Sequence, residues 1–375
     1  MSRILINLLA VTDGGQVTRA NEFLNRFGIY DGESTLTILR RSGTLPFCDS
    51  ITNATVINVA IGDSALRPWV RLFWENVNLR LVLKEIRPEI YLSFSHYLPS
   101  SIGRDVITIL GVTNLAPFSP MALSKERFGM KVKMKLLRYG IISSARKASH
   151  VVALSNLCKQ ILINHGINKK NITVINNGVN HPQSEDRCLK SDLNVQKKFI
   201  LYVSSFFHYK NFKLLINAYA ALSDDMREEY QLVLVGRVDD VAYFNELHVL
   251  VDTLNLRDKI KFVDVVQREK LEVYYETSSL FVFPSLIENC PNILLEALSF
   301  GCPILCSSAE PMKEFGGDAV AYFDPYSEVE LSKLMQRTLD DPEALRKMSE
   351  MSRERSKRFS WDLFTESVVD LMIKN

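Results

Sequence analysis

Two carboxylates, Glu288 and Glu296, stand eight positions apart in residues 288–308. The first falls in a loop and the second inside a predicted helix, with Pro291 suited to its first position and Gly301 to its end. SSLFVFPS before the loop and PILCSS after the helix predict buried parallel strands. The loop therefore follows a strand and precedes a helix N-terminus, where free N–H groups and the helix dipole favour phosphate. Phosphate beside two hydroxyl-accepting carboxylates indicates a sugar nucleotide, while a plain strand–helix–strand unit with two surface glutamates is the alternative.

This segment resembles the Glu-x7-Glu motif of the family-four retaining glycosyltransferases, which have the GT-B fold. Four further stretches agree with that family in order and approximate spacing: VINNGVN, FILYVSSFFHYKN, LVLVGRVDD, and GGDAVAYFDPYSEVEL through RFSWD. The match covers the C-terminal half almost completely and the N-terminal half loosely. It implies an α/β protein of two Rossmann-like domains that face each other across a cleft, with a C-terminal helix crossing back to the first domain.

The resemblance also implies roles for three charged residues. Lys210, in HYKN after a strand, matches the lysine that contacts the donor phosphates. Glu296 matches the carboxylate that accepts both ribose hydroxyls, a suitable pairing for a vicinal diol. Glu288 matches the residue beside the donor sugar, where it orients the sugar or stabilises an oxocarbenium-like transition state. We do not assign it as a covalent nucleophile.

One departure from the family pattern concerns the phosphate site. Relatives have a Gly-Arg pair whose arginine lies five residues before the lysine, and here the matching pair is Ser204-Ser205. A hydroxyl of Ser205 can hydrogen-bond a phosphate but does not supply a positive charge. Arg237 and Arg268 are the candidates for the missing cation.

Further donor contacts are implied at the start of the helix and at the end of a strand. The backbone N–H groups of Asn292, Ile293 and Leu294 would hold the diphosphate. The nucleotide base would pack near residues 263–265, beginning with Val263. In the turn TDGGQVTR, Gly15 contacts the diphosphate or the acceptor, or simply makes a tight turn.

The acceptor side is less defined by the sequence. His96 follows a predicted strand and so lies at the edge where ligands bind, although a structural or surface histidine is the simpler interpretation. Many relatives place a functional histidine after the next strand, where this chain has Leu110-Gly111. The nearest polar residue is Asn114, which makes it the second acceptor-side candidate.

The elements that position these residues alternate between strand and helix along the chain, which predicts parallel sheets covered on both faces. A length of 375 residues fits two domains. Residues 180–198 are polar and lack periodicity, so we predict a boundary there. The predicted domains are 1–185 on the acceptor side, 186–355 on the donor side, and a helix in 356–375 that packs on the first domain.

Charge divides the chain into two unlike halves. Residues 1–180 contain 22 Lys+Arg against 11 Asp+Glu, a net charge of +11, whereas the rest has 23 against 32, a net charge of −9. Basic and apolar residues alternate in 125–147, and 67–87 mixes basic residues with aromatic ones. Each stretch predicts either a core-packed helix with a solvated basic face or attachment to an anionic membrane surface. Nucleic acid is not indicated, because no binding motif accompanies the charge.

Neither a bound metal nor another cofactor is predicted. No Asp-x-Asp follows an apolar strand, and the six cysteines form no ligand-spaced pairs, so we expect reduced thiols. Lysine and a helix terminus would take the place of a metal. With no signal segment or spanning helix in the sequence, we expect a cytoplasmic protein, and peripheral attachment to the inner face of the cytoplasmic membrane is a further expectation.

These observations predict a retaining, metal-independent glycosyltransferase. It would move a sugar from a nucleoside-diphosphate sugar to a saccharide or lipid-linked saccharide acceptor, in bacterial surface polysaccharide biosynthesis. Alternatives are a non-catalytic GT-B partner or scaffold protein, which the Ser204-Ser205 pair favours, and a GT-B isomerase or phosphorylase. The combination of Lys210, Glu288 and Glu296 favours the transferase.

Overall fold

The computed structural model describes residues 2–12, 14–31, 34–51, 54–60, 68–120, 128–182 and 197–373. The chain forms two compact units. The N-terminal unit comprises Met1–Gly178 and Ser360–Asn375, and the C-terminal unit comprises Val179–Phe359. These limits differ by a few residues from the predicted domains 1–185, 186–355 and 356–375.

In the described residues, the N-terminal unit contains a sheet of seven parallel strands in the order β3-β2-β1-β4-β5-β6-β7. The strands are β1 Arg3–Asn7, β2 Thr35–Arg41, β3 Ala54–Val59, β4 Ile90–Ser93, β5 Ile107–Val112, β6 His150–Ala153 and β7 Ile172–Val174. Most are apolar and buried along their length, as strands covered on both faces must be.

The helices of this unit cover both faces of the sheet. They are α1 Gly14–Tyr30, α2 Pro68–Val77, α3 Leu79–Ile86, α4 Phe128–Lys147, α5 Asn156–Asn164 and α14 Trp361–Ile373. Helices α2 to α5 contribute to one core with Leu5, Tyr91 and Leu110 of the sheet. The chain-terminal α14 packs against α1, with Phe364 close to the rings of Phe23 and Phe94. The predicted return of the last helix to the first domain is confirmed.

The C-terminal unit is built on a second parallel sheet, which has six strands in the order β10-β9-β8-β11-β12-β13 in the described residues. They are β8 Lys198–Val203, β9 Tyr230–Val235, β10 Ile260–Val263, β11 Leu280–Phe283, β12 Ile304–Ser307 and β13 Ala321–Phe323. The helices are α6 Phe212–Ala220, α7 Asp224–Glu229, α8 Val241–Thr253, α9 Arg268–Thr277, α10 Asn292–Ser299, α11 Met312–Gly316, α12 Glu328–Leu339 and α13 Pro342–Ser356. Both units therefore have the predicted Rossmann-like α/β architecture.

Candidate active site

The loop that follows β11 carries Glu288, as predicted. Strand β11 is buried throughout, and the fully buried Ser285 comes two residues after it. The Ser285 hydroxyl donates a hydrogen bond to Glu288 Oε1 over 2.9 Å, and Lys210 Nζ donates to the same oxygen over 2.6 Å. The two charged side chains are only 15% and 13% exposed, so this ion pair is largely shielded from water. One buried hydroxyl and one ammonium thus hold the carboxylate in place.

Lys210 lies in the segment that follows β8, and β8 is the strand that pairs with β11 in the sheet. Its backbone carbonyl accepts a hydrogen bond from the Tyr202 hydroxyl over 2.9 Å, and its ammonium lies 5.3 Å from the ring centroid of Tyr209. Burial is the largest single influence and lowers the pKa of Lys210, but the Glu288 carboxylate and Tyr209 both raise it, and the net pKa is above the ordinary value. Lys210 is therefore a permanent cation at this edge of the sheet.

Asn211 connects the two loops that carry this pair. Its backbone is left-handed, with φ of 60°, which asparagine adopts more readily than most residues. Its Nδ2 atom donates to the carbonyl of Pro325 over 2.8 Å and to that of Pro284 over 3.3 Å. The Leu286 N–H also donates to the Tyr209 carbonyl over 2.9 Å. The loop after β8 is thereby fixed to the loop after β11.

Glu296 lies on α10, one residue past the middle of the helix, and is partly exposed. Its Oε2 atom accepts a hydrogen bond from the buried Tyr275 hydroxyl over 3.1 Å. Burial raises the pKa of Glu296, while the Tyr275 hydrogen bond and the charge of Arg268 partly offset this rise. One carboxylate edge is thus held by the protein, and the other carboxylate oxygen is available to a ligand donor.

The helix N-terminus differs in detail from the prediction. Pro291 is the N-cap residue rather than the first helical residue, and α10 begins at Asn292. The Asn292 N–H donates to the Cys290 carbonyl over 2.9 Å. The Asn292 N–H is thus engaged in a tight turn, and its binding of a diphosphate stays a prediction. Ile293 and Leu294 lie in the first turn of the helix, as predicted.

The serine pair that replaces the family's Gly-Arg lies in the loop after β8. Ser204 is buried, and Ser205 is partly exposed. Gly236 directly follows the neighbouring strand β9, and a Cβ added there would overlap the Ser204 carbonyl oxygen. Such close backbone contact requires glycine at position 236 and fixes the Ser204-Ser205 loop.

The candidate replacement cations both have acidic partners. Arg237 Nε donates to Asp239 over 2.6 Å, and Arg268 Nε donates to Glu272 over 3.1 Å. Both arginine side chains are more than half exposed. Lys210, at 15% exposure, is therefore much more buried than either arginine. The predicted base-binding residue Val263 ends β10, and its carbonyl accepts a hydrogen bond from the Gly236 N–H.

The acceptor-side candidates lie in the N-terminal unit. His96 follows β4 with a left-handed backbone, and its Nδ1 lies 3.5 Å from the hydroxyl of Thr113. Burial, together with the charges of Arg71 and Arg19, lowers the pKa of His96 to about 4. Asn114 is next to Thr113, and its side chain caps the Ala116 N–H over 2.9 Å. Gly15 lies in the first turn of α1, directly after Gly14 in a left-handed conformation.

The structure also shows residues that the sequence did not identify. Ser285 positions Glu288, Tyr275 positions Glu296, and Asn211 joins the two loops. The only sequence signals were the place of Ser285 directly behind a buried strand and that of Asn211 directly behind Lys210. Tyr275 gives no signal, because it lies 21 residues before its partner.

Within the described ranges, no three His, Cys, Asp or Glu side chains come together as metal ligands. The cysteines in these ranges are free thiols, and Cys188 lies outside them. Among the helices that the structure describes, none has the length and apolar character needed to span a bilayer.

Comparison with known families gives two matches that together cover most of the chain. Residues 14–182 match the family described as Glycosyltransferase Family 4, and residues 186–355 match the one described as Glycosyl transferases group 1.

Curated relatives agree with these matches. O-antigen chain mannosyltransferase B of Escherichia coli is 24% identical over 298 residues, which are 77% of this chain and 75% of the relative. O-antigen chain mannosyltransferase RfbU of Salmonella typhimurium is 25% identical over 304 residues, covering 79% and 78% of the two chains. The aligned region spans only 30% of the longer serotype-specific mannosyltransferase WbdA of Escherichia coli, at 24% identity.

Solved structures share the fold over the whole chain. Anabaena HepE, determined in complex with UDP and glucose, has a TM-score of 0.74 at 16% identity, with both chains fully covered. WaaG, a glycosyltransferase involved in lipopolysaccharide biosynthesis, has a TM-score of 0.75 at 15% identity, covering 99% of this chain and 100% of that one. This likeness shows the GT-B fold, and the two family matches, which together cover most of the chain, show that it is a family-4-like glycosyltransferase.

Proposed function

We propose that the protein is a retaining glycosyltransferase that moves a sugar from a nucleoside-diphosphate sugar to a saccharide or lipid-linked saccharide, in the assembly of a bacterial surface polysaccharide. The observation that carries this proposal is the shielded Lys210–Glu288 pair at the carboxyl edge of β8 and β11. The O-antigen mannosyltransferase relatives support the pathway class, and the UDP-bound HepE structure supports the donor class.

In this proposal Lys210 stabilises the leaving group. The C1–O bond to the diphosphate breaks as the acceptor oxygen bonds to C1 on the same face, and the departing phosphate oxygen takes the acceptor proton. Negative charge then accumulates on the diphosphate, and a fixed ammonium stabilises it most effectively where water is excluded. Glu288, 2.6 Å from that ammonium, is placed to orient the sugar and stabilise its positive charge.

Glu296 would bind the ribose. One carboxylate oxygen is held by Tyr275, which orients the group so that it accepts from the two vicinal hydroxyls. The first turn of α10 and Lys210 would supply the positive charge that a metal supplies in other transferases. We therefore propose a reaction that needs no metal and no bound cofactor, with Ser205, Ile293, Leu294 and Val263 as further donor contacts.

We also propose that the N-terminal unit attaches reversibly to the cytoplasmic face of the membrane, where a lipid-linked acceptor is found. Large apolar side chains on α2, α3 and α4 are exposed: Val70, Phe73, Val77, Leu81, Met130, Val132, Leu136 and Tyr139. Leu81 on α3 is 69% exposed, and Tyr139 on α4 is 72% exposed. The sequence alone also allowed each of these helices to pack its apolar residues fully into the core. Exposed large apolar residues on helices that also carry basic residues are typical of attachment to anionic lipid.

The proposed function is tested with a panel of nucleotide sugars. A bound donor raises the apparent unfolding temperature, and this stabilisation should persist in EDTA. The stabilising donor is then incubated with candidate acceptors, and the anomeric configuration of the product is read by NMR. Transfer that persists in EDTA and retains the anomeric configuration of the donor supports the proposal. Inversion or metal dependence would overturn the mechanism, and stabilisation by a donor that is never transferred or hydrolysed would favour the scaffold alternative.

A further inference from the structure

A polar cluster lies at the carboxyl edge of the N-terminal sheet, where β1 and β4 are neighbours. The chain leaves β1 towards β2 and β3 on one side and continues from β4 towards β5 on the other, so the strand order reverses at this pair. Asn7 ends β1 opposite Ser93, which ends β4. Parallel sheets bind ligands at such a reversal, outside the carboxyl ends of the strands.

A buried carboxylate forms the base of the cluster. The Glu75 side chain on α2 is fully buried, and Asn7 Nδ2 donates to its Oε1 over 2.7 Å. The same amide nitrogen donates to the Tyr91 hydroxyl over 2.7 Å, and the amide oxygen accepts from the Leu9 N–H. Burial raises the pKa of Glu75, while Arg71 and Asn7 act in the opposite direction. A buried ionised carboxylate is costly, so it needs the cation beside it.

Arg71 is that cation, one helical turn earlier on α2. Its Nε lies 3.5 Å from Glu75 Oε2, and its side chain is 17% exposed. Neither of these two atoms has a hydrogen-bond partner among the residues that the structure describes. Glu75 therefore positions the guanidinium by charge, while the Arg71 side chain as a whole remains partly exposed.

The surroundings of Arg71 favour an anion. Arg71 and the buried Arg19 are both close enough to His96 to lower its pKa, so its imidazole is neutral beside two guanidinium groups. Arg19 is held from the far side by Asn177, whose Oδ1 accepts from Arg19 Nε over 2.8 Å. Arg71 and Arg19 thus bring two guanidinium groups to the surroundings of His96, beside the carboxylate of Glu75.

We propose that Arg71, positioned by Glu75, binds a phosphate group of the acceptor substrate at the β1/β4 edge, next to His96. The planar fork of arginine matches phosphate oxygens bidentately, which lysine does not do. The inference rests on the proposed function and narrows its acceptor to a phosphate- or diphosphate-bearing saccharide carrier. A donor diphosphate has the same chemistry, so the test must separate the two sources.

The test uses farnesyl diphosphate as a soluble probe and farnesol as its uncharged counterpart. The full-length protein is first saturated with the nucleoside diphosphate that stabilises it best, so that the donor site is occupied, and the probe is then titrated by calorimetry. We expect farnesyl diphosphate to bind and farnesol not to bind. Arg71→Gln should lower the affinity for farnesyl diphosphate at least tenfold, and Arg71→Lys should recover only part of that affinity.

Three further variants complete the design. Glu75→Gln should weaken the probe as well, because Arg71 loses the charge that positions it. The double variant Arg71→Gln with Glu75→Gln leaves no unpaired buried charge, and it should still bind nucleoside diphosphate like the wild type, which shows that it is folded. Arg80→Gln, an exposed change on α3, is the matched control and should leave probe affinity unchanged.

The outcomes distinguish this inference from the proposed function. Equal probe affinity in the wild type and in the folded double variant would overturn the role of Arg71. Complete exclusion of the probe by the nucleoside diphosphate, or a parallel loss of nucleotide affinity in Arg71→Gln, would assign Arg71 to the donor and equally overturn it. A wild type that binds no nucleoside diphosphate would instead contradict the proposed function itself.

Discussion

The two units assemble their polar residues in different ways. In the C-terminal unit, Lys210 and Glu288 each follow a strand within a short motif, and they meet because those strands are neighbours. In the N-terminal unit, Asn7, Arg71 and His96 come from distant parts of the chain and belong to no motif. A nucleoside diphosphate presents the same groups to every enzyme that uses it, whereas acceptors differ. Donor-binding residues can therefore be predicted from a sequence motif, whereas acceptor-binding residues can be identified only from the structure.

The two units also differ in net charge and in the number of exposed apolar side chains. Residues 1–180 have a net charge of +11, and the remainder has −9. Half of the large apolar side chains that are exposed in the described residues lie on α2, α3 and α4 of the N-terminal unit. If the units divide the work as proposed, substitutions in one should leave the ligand of the other unaffected.

The largest effect is expected at the ion pair of the C-terminal unit. Lys210→Ala should lower the transfer rate by roughly 10²–10³, the range for loss of one preorganised transition-state donor. Rates are measured in single turnover with saturating donor. Lys213→Ala, an exposed lysine one turn further on, is the control and should retain the wild-type rate. A loss below threefold in Lys210→Ala would mean that the leaving group is stabilised elsewhere.

Next in size is the ribose contact. Glu296→Ala should cost about 1.5–3 kcal/mol of nucleotide binding, as hydrogen bonds to a charged group do. This equals roughly tenfold to hundredfold in Kd, measured by calorimetry. Glu276→Ala, an exposed acid on α9, should bind normally. Farnesyl diphosphate affinity should not change in either variant, and a change there would contradict the division between the units.

Membrane attachment should depend on the N-terminal unit alone. Replacing Lys133 and Lys135 with Gln removes two exposed charges, worth about 1 kcal/mol each near anionic lipid. Vesicle partitioning should therefore weaken roughly thirtyfold in co-sedimentation with anionic liposomes. The same change at Lys333 and Lys347 of the C-terminal unit should have no effect. Equal binding to neutral and anionic vesicles would show that α4 is an ordinary solvated helix.

The smallest effect concerns the pH dependence of nucleotide binding. Burial raises the pKa of Glu296, and the Tyr275 hydrogen bond to the ionised form partly lowers it. Because the ionised carboxylate accepts the ribose hydroxyls, affinity should fall as the pH is lowered from about 8 towards this raised pKa. Tyr275→Phe removes the lowering influence, so its affinity should begin to fall at a higher pH, by a few-fold. If the wild type and Tyr275→Phe had the same pH profile of nucleotide affinity, Glu296 would not bind the ribose. Titration of the nucleotide phosphates does not confuse this comparison, because it affects both proteins equally.

Much of the architecture follows from the sequence, because buried parallel strands are continuous apolar runs that alternate with helices. The positions of Lys210, Glu288 and Glu296 follow as well, since strand ends place loops at one edge of a sheet. The hydrogen bonds of the candidate site could not be predicted in this way. The turn that engages the Asn292 N–H, and the hydroxyls of Ser285 and Tyr275, depend on local geometry that residue types do not encode.

The sequence also did not predict which apolar residues are exposed. The basic stretch 125–147 contains apolar residues at many positions, and periodicity does not determine which of them the sheet covers. Leu137 packs on the core, whereas the adjacent Leu136 is 62% exposed. The Arg71–Glu75 pair has the ordinary spacing of a surface helix pair, so nothing in the sequence indicates that Glu75 is buried.

The position of α14 has a consequence for how the protein is made. The N-terminal core is completed by Phe364, whose ring lies 6.4 Å from Phe23 and 6.3 Å from Phe94. A ribosome that has finished residue 178 must still synthesise the entire C-terminal unit before this helix emerges. At about 5–20 residues per second, this delay is on the order of 10–40 seconds, during which part of the first core has no cover. The unit whose synthesis begins first is thus the last to be completed.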